Sequence, residues 1–166
     1  LRPNFFGQTK LWLLSQIQEL SSVSGKSYCW FRPFWLYGPG QRASSLIPLA
    51  IESSRNNHQL VLRSPEAYLD MLHIRDFAKA LAVSVLAVES SGIYNAGFSR
   101  PVKVSEVSER VFALLSGGKV REFSTAEATS DAAWSSNIRL SSELSWQPEV
   151  SLETGLLEML QEQDLL

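Results

Sequence analysis

The stretch Ser27-Tyr28-Cys29-Trp30-Phe31-Arg32 decides the fold class. Its aromatic and apolar residues follow one another and do not alternate with polar ones. This pattern is typical of a strand that is covered on both faces, as in a parallel sheet. We therefore predict a buried strand here. A loop should follow at Tyr37-Gly38-Pro39-Gly40, because two glycines and a proline interrupt regular structure.

Helical patterns flank this strand on both sides. On the N-terminal side, Asn4 can cap a helix whose apolar residues are too widely spread for a single stripe, so we expect burial against both a sheet and another helix. These residues are Trp12, Leu13, Leu14, Ile17 and Leu20. On the C-terminal side, Arg75 to Val88 has apolar residues at i, i+3 and i+4, with Asp76 as the predicted N-cap.

Shorter elements complete the pattern. Strands are predicted at Gln59–Leu62, at Tyr68–Ile74 and, as a short strand opened by Gly92, at Ile93–Asn95. Further helices are predicted after Ser105 and Ser151, each of which can act as an N-cap. Another strand is predicted at Val120–Phe123, followed by a patternless polar loop over residues 124–136. Strands that alternate with helices predict an α/β fold.

Composition narrows the classes of function. The chain has 166 residues, 45% of them hydrophobic, which is enough for one core; 15 Lys and Arg against 17 Asp and Glu give a net charge of −2. An electrostatic nucleic-acid partner would require a basic surplus. No apolar run approaches the roughly 20 residues that cross a membrane, and no His or Cys spacing indicates a metal site. The single Cys29, predicted to be a buried reduced thiol, indicates a cytoplasmic protein.

The first ten residues, Leu1-Arg2-Pro3-Asn4-Phe5-Phe6-Gly7-Gln8-Thr9-Lys10, suggest chemistry that has been lost. Phe6 and Lys10 are four positions apart and should share one helix face. A tyrosine at the first position would have its pKa lowered by the ammonium and could exchange a proton during hydride transfer. Phe6 has no such proton. From the start at Leu1 we expect a fragment or a processed product, with a trimmed terminus as the alternative.

Five segments, in order, resemble motifs of the extended short-chain dehydrogenase/reductase family, specifically the NAD-dependent sugar-nucleotide epimerases and dehydratases. The segments are Phe6-Gly7-Gln8-Thr9-Lys10 (similar to Tyr-Gly-x-x-Lys), Arg32-Pro33-Phe34-Trp35-Leu36-Tyr37-Gly38-Pro39-Gly40-Gln41 (Arg-x-Phe-Asn-x-Tyr-Gly-Pro), Asp70-Met71-Leu72-His73-Ile74-Arg75-Asp76 (Arg-Asp-x-x-x-Val-x-Asp), Tyr94-Asn95-Ala96-Gly97 (Tyr-Asn-x-Gly) and Glu143-Leu144-Ser145-Trp146-Gln147-Pro148 (Glu-Leu-Gly-Trp-x-Pro). Each motif alone is weak, but five in the family's order indicate homology.

The resemblance implies only the C-terminal half of such an enzyme. The expected fold is the end of a Rossmann-like parallel sheet over residues 1–43, with a small α/β substrate-binding region over residues 44–166. None of the nine glycines belongs to a G-x-G-x-x-G motif, which in the family holds the cofactor's pyrophosphate. NAD or NADP is thus expected for the full-length family member, and its binding by this chain alone is doubtful.

The resemblance also implies site residues. Lys10 is the remnant of the catalytic Tyr-Lys pair, with Phe6 in the tyrosine position, and Lys10 and Phe34 are on the cofactor side. Trp35 and Asn95 are on the substrate side. Trp35 replaces an asparagine and is expected to fill core space. Lys10 could instead be a solvated helix lysine, and Asn95 a polar strand end.

Several site residues differ from those of the family, so three interpretations of the chain's function stay open. Leu69, where many members have an arginine, removes a charge-assisted contact to the nucleotide diphosphate. The chain could be part of an epimerase or dehydratase acting on nucleotide sugars, inactive by itself. It could be a non-catalytic relative that binds a sugar nucleotide, or forms a homodimer through the helix around Trp12–Leu20. It could also be a decayed product without a selected function.

Overall fold

The computed structural model describes residues 5–87, 90–116, 124–125 and 132–165. Six helices are described: α1 Phe5–Ser24, α2 Leu46–Arg55, α3 Ile74–Leu86, α4 Val104–Ser116, α5 Ile138–Leu144 and α6 Leu152–Glu162. The strands are β1 Cys29–Pro33, β2 Trp35–Tyr37, β3 Val61–Leu62, β4 Tyr68–Leu69, β5 Met71–His73, β6 Gly92–Ala96, β7 Val102–Lys103, β8 Ser124–Thr125 and β9 Ala132–Ala133.

Two parallel strand pairs form the centre of the fold and confirm the α/β class. β1 pairs with β6 from Cys29 opposite Gly92 to Pro33 opposite Ala96. β2 pairs with β5. The chain passes from one pair to the other at Phe34, whose backbone N–H donates to the Ala96 carbonyl at 2.9 Å. The smaller pairs are β3 with β8, in parallel, and β4 with β7, antiparallel, and with β9, parallel.

The strand predicted at Ser27–Arg32 exists, but it is less buried than its sequence suggests. β1 begins at Cys29, and its residues are half-buried or exposed. Among the described residues β6 is the strand that pairs with it, so one edge and part of one face are uncovered. Cys29 is accordingly a half-buried free thiol, and burial raises its pKa.

Helix α1 is present but does not pack as expected. Leu14 is its buried residue, whereas Trp12 is 63% exposed and Leu20 is 67% exposed. The expectation of burial against both a sheet and another helix is therefore wrong for this chain, because no described element covers that side of the helix. The proposed cap Asn4 lies outside the described residues.

Two hydrophobic cores hold the rest of the fold together. One lies among α2, α4 and α6 and includes Ile47, Val111, Phe112, Leu156 and Leu160. The other lies between the β1–β6 pair and helices α3 and α5, and includes Ala80, Tyr94, Leu140, Leu144 and Trp146. No described helix is long and apolar enough to span a bilayer.

The start of α3 differs from its prediction. The N-cap is His73, whose Nδ1 accepts a hydrogen bond from the Arg75 N–H at 3.4 Å. Asp76 is not the cap. It is buried inside the first turn, where its Oδ2 accepts hydrogen bonds from the backbone N–H groups of Glu149 at 3.1 Å and Val150 at 2.9 Å. A capping residue would bond within its own helix, whereas Asp76 holds a distant segment.

Other helix and strand boundaries lie close to their predicted positions. Ser151 caps α6 as predicted, since its Oγ accepts from the Thr154 N–H at 3.1 Å. Helix α4 begins at Val104, so Ser105 lies within it and is not its cap. The strand predicted over Tyr68–Ile74 divides into β4 and β5 at Asp70. The loop predicted over residues 124–136 contains the two-residue strands β8 and β9, and the strand predicted at Val120–Phe123 lies outside the described residues.

Candidate functional site

The first candidate pair lies on the exposed surface of α1. The Nζ of Lys10 is 4.2 Å from the centroid of the Phe6 ring, which is 68% exposed. The i, i+4 spacing therefore brings the ammonium over the ring, in a cation–π contact of modest strength. A phenol at position 6 would lie beside this positive charge, whereas the phenyl ring present there cannot donate or accept a proton.

The two buried tyrosines do not replace the missing phenol. Tyr37 donates from its hydroxyl to the Ser151 carbonyl at 3.1 Å, and burial raises its pKa. Tyr94 donates to the Glu143 carboxylate at 2.7 Å, and burial together with that contact raises its pKa to about 12. A proton relay needs a pKa near the working pH. Both hydroxyls are therefore structural donors.

A second candidate site is a cleft of about 480 Å³ at the carboxyl ends of β1 and β6. Its lining residues are Arg32, Pro33, Phe34, Trp35 and Asn95. Arg32 and Asn95 are register partners across the two parallel strands, so their backbones lie side by side. The chain leaves the β1–β6 pair for the β2–β5 pair at this point. Such crevices outside the carboxyl ends of parallel strands are where open α/β sheets bind ligands.

Trp35 faces this cleft and does not fill the core. It is 57% exposed, so the expectation that it packs inside the protein is wrong. The reason is its place at the first position of β2, beside the cleft, where its backbone N–H donates to the Asp70 carbonyl at 3.0 Å. The adjacent Phe34 is half-buried.

The buried carboxylate of Asp70 fixes the loop that follows Asn95. One oxygen accepts from the backbone N–H groups of Phe98 at 2.7 Å and Ser99 at 3.0 Å. The other accepts from Ser135, from its N–H at 2.8 Å and its hydroxyl at 2.6 Å. A Cβ at Gly97 would overlap Asp70 and Ser135, so this close approach requires glycine.

This role of Asp70 was not predicted from the sequence. Its partners lie 28 to 65 residues further along the chain, and nothing local marks them. The preceding residue, Leu69, is buried in the core near the α4 helix. It brings no charge to the cleft, in contrast to the arginine found there in many members of the resembling family.

The residues present do not form a complete dinucleotide site. Phe34, Trp35 and Asn95 share the cleft, while Lys10 lies on α1 and is not among the lining residues. The sequence has no Gly-rich turn between a strand and a helix to hold a pyrophosphate. The residues present therefore do not fit a whole NAD or NADP molecule. Within the described ranges, no group of three or more His, Cys, Asp or Glu side chains could hold a metal ion.

Comparisons with known proteins agree with this architecture. Residues 3–97 match the model of the NAD dependent epimerase/dehydratase family. Low-salt glycan biosynthesis protein Agl12 from Haloferax volcanii is 25% identical over 122 residues, which cover 72% of this chain and 39% of that protein.

Two solved structures show the same fold. The UDP-glucose-4-epimerase of Stenotrophomonas maltophila, with bound NAD and formylated UDP-arabinopyranose, superposes with a TM-score of 0.81 at 17% identity, over 96% of this chain and 54% of that one. A tyrosine-to-phenylalanine mutant of the UDP-glucuronic acid 4-epimerase of Bacillus cereus, in complex with UDP-4-deoxy-4-fluoro-glucuronic acid and NAD, gives 0.69 at 18% identity, over 81% and 45%. The chain thus spans about half the length, or less, of the relatives it matches.

Proposed function

The chain belongs to the NAD dependent epimerase/dehydratase family, and on that premise we propose that it binds a nucleotide sugar but performs no hydride chemistry by itself. The observation that carries this proposal is the pair on α1, where the Lys10 ammonium lies over a phenyl ring. The lysine is retained and the acid/base group beside it is absent. Loss of such a proton relay costs on the order of 10²- to 10⁴-fold in rate.

The binding half of the proposal rests on the cleft. Within the cleft we assign Trp35 and Asn95 to the substrate side and Phe34 to the side of an NAD or NADP cofactor. Lys10, which lies on α1 and does not line the cleft, is assigned to the cofactor side from the family resemblance alone. The mutant Bacillus cereus epimerase, which carries a phenylalanine in place of a tyrosine, still holds NAD and a UDP-sugar analogue. That neighbour supports the idea that a phenyl ring is compatible with ligand binding. Residues 1–43 would complete the Rossmann-like part and residues 44–166 the substrate-binding region.

The exposed side of α1 supports a homodimer as part of the same proposal. Trp12, Leu13 and Leu20 are all large, apolar and at least 45% exposed on this one helix. Several large apolar side chains exposed on one helix favour an interaction site. A second copy of α1 would cover it with a surface of the same composition, as in a two-fold contact. The unpaired Cys29 is compatible with a reducing, cytoplasmic setting.

The first test separates binding from chemistry. The chain should bind at least one UDP-, GDP- or TDP-sugar by isothermal titration calorimetry and show no NAD-dependent turnover of that sugar. Turnover by the unaltered chain would contradict the proposed lack of chemistry, and failure to bind any of the three classes would contradict the proposed binding.

The second test asks whether position 6 is still a site for a reactive phenol. In Phe6→Tyr the new hydroxyl lies near the Lys10 ammonium, which favours the charged phenolate and should lower its pKa. The matched control is Phe5→Tyr, because Phe5 is also highly exposed but lies about 100° around the helix. Ultraviolet titration should give a lower phenol pKa at position 6 than at position 5. Equal values would show that Lys10 is only a solvated lysine.

A further inference from the structure

We propose that Trp35 is a stacking platform and Arg32 its anion-binding partner, and that together they select ligands that carry both a ring able to stack, a nucleobase or a sugar, and a phosphate or diphosphate. This inference rests on the proposed binding function and assigns the determinants of ligand choice within the cleft. It requires three properties: an exposed aromatic ring, a cation in the same cleft that forms no ion pair, and a backbone that holds both residues in place.

The aromatic ring is available because Trp35 lines the cleft and remains 57% exposed. Its nearest neighbours in sequence behave differently: Leu36 is half-buried and Tyr37 is 2% exposed within the core. β2 therefore begins at the surface with Trp35 and reaches the core at Tyr37. Nucleobases and the apolar faces of sugars both stack on such a surface, and tryptophan offers a large aromatic area for it.

Arg32 is a cation that lines the same cleft. Among the residues that the structure describes, its guanidinium forms no ion pair, whereas Arg75, Arg110 and Arg139 each pair with a glutamate. A guanidinium without a carboxylate partner keeps its planar set of donors for a phosphate. Its register partner across the strands is Asn95, whose amide offers donors and an acceptor in the same cleft.

The backbone around Trp35 is held in place by hydrogen bonds next to the cleft. Trp35 donates its backbone N–H to Asp70, and the carboxylate of Asp70 in turn accepts four hydrogen bonds from Phe98, Ser99 and Ser135. On the other side, the Phe34 N–H donates to Ala96. A platform already fixed in position loses little conformational freedom when a ligand binds.

The test measures affinity by isothermal titration calorimetry with UDP-glucose as the probe. In Trp35→Leu the apolar volume is largely kept but the flat face is lost, and affinity should fall about tenfold or more. Trp35→Phe should retain part of the affinity. Arg32→Gln should weaken binding by roughly tenfold and reduce its dependence on salt. The control is Trp134→Leu, because Trp134 is 58% exposed but does not line the cleft; its affinity should equal that of the unaltered chain.

Two simpler probes identify the ring that stacks. If the nucleobase stacks, Trp35→Leu should weaken UDP binding as much as it weakens UDP-glucose binding. If the sugar stacks, the loss should appear with glucose 1-phosphate and not with UDP. Unchanged affinity for all three probes in Trp35→Leu, with binding by the unaltered chain intact, would overturn this inference and leave the proposed function standing. Absence of binding of UDP-, GDP- and TDP-sugars alike by the unaltered chain would overturn both.

Discussion

Residues 70–76 and helix α1 differ in the kind of side chain that they bury and the kind that they expose. In the first region three ionisable side chains, Asp70, His73 and Asp76, are fully buried. Through their hydrogen bonds, the two aspartates hold segments that lie far along the chain. In α1 it is the large apolar side chains, such as Trp12 and Leu20, that are exposed.

The difference shows which part of the protein is a scaffold and which part is a surface for something else. Buried polar groups are as a rule hydrogen-bonded, and Asp70, His73 and Asp76 each accept at least one hydrogen bond. These hydrogen bonds hold the 70–76 segment against its present partners. Exposed apolar groups gain from any partner that removes them from water.

The strongest test of the scaffold is Asp70→Ala. It leaves the N–H groups of Phe98, Ser99 and Ser135 without their acceptor inside the protein, and each such loss costs about 1–3 kcal/mol. We expect the free energy of unfolding to fall by about 3 kcal/mol or more, as measured by urea denaturation. The control is Glu66→Ala, which removes an exposed carboxylate that pairs with Lys103 at 2.7 Å. That change should cost less than about 1 kcal/mol. Equal losses would contradict the scaffold role of Asp70.

A change of pH should have a smaller effect on the free energy of unfolding, through the protonation of His73. Burial lowers its pKa below the ordinary 6.5, and the Arg75 cation also lowers it, while Glu158 and Asp76 oppose the shift. The folded protein therefore binds fewer protons than the unfolded chain just below pH 6.5. The stability that neutral His73 contributes is complete above that pH and is lost as the pH falls towards the folded-state pKa.

The measurement compares the free energy of unfolding at about pH 5.5 and 7.5. His73→Asn keeps a side-chain acceptor at the N-cap of α3 but cannot be protonated. Its stability should depend less on pH than that of the unaltered chain. Since His58 is present in both proteins, its titration cancels in the comparison. An unchanged pH dependence in the variant would show that His73 is not responsible.

The same contrast explains what the sequence could and could not predict. Helix α3 and the Ser151 cap of α6 were predictable because their signals lie within a few residues: the apolar spacing and the capping serine. The α/β class followed from the alternation of strands and helices, and the family from five short motifs. All of these signals are local, and they do not depend on which distant segment packs against them.

The failures concern partners that lie far apart in the chain. Asp76 has the sequence features of an N-cap, yet its acceptor oxygen binds Val150, 74 residues away. The exposure of Trp35 depends on where β2 meets the cleft, which no neighbouring residue encodes. Helix α5, which has only seven residues, was missed because so short an apolar pattern does not define a period.

Substitutions on the exposed side of α1 should change the oligomeric state of the protein strongly and its free energy of unfolding only slightly. Replacing Trp12 and Leu20 with lysine removes apolar surface that is already in water, so unfolding of the monomer should change by no more than about 0.5 kcal/mol per site. If α1 forms a homodimer, the double variant should be monomeric by sedimentation velocity where the unaltered chain is dimeric. Val85→Lys on α3 is the control, since Val85 is 80% exposed on a different helix, and it should leave the dimer intact. A monomeric unaltered chain, or loss of the dimer in the control alone, would exclude α1 as the dimer surface and leave its exposed side without the partner that we propose.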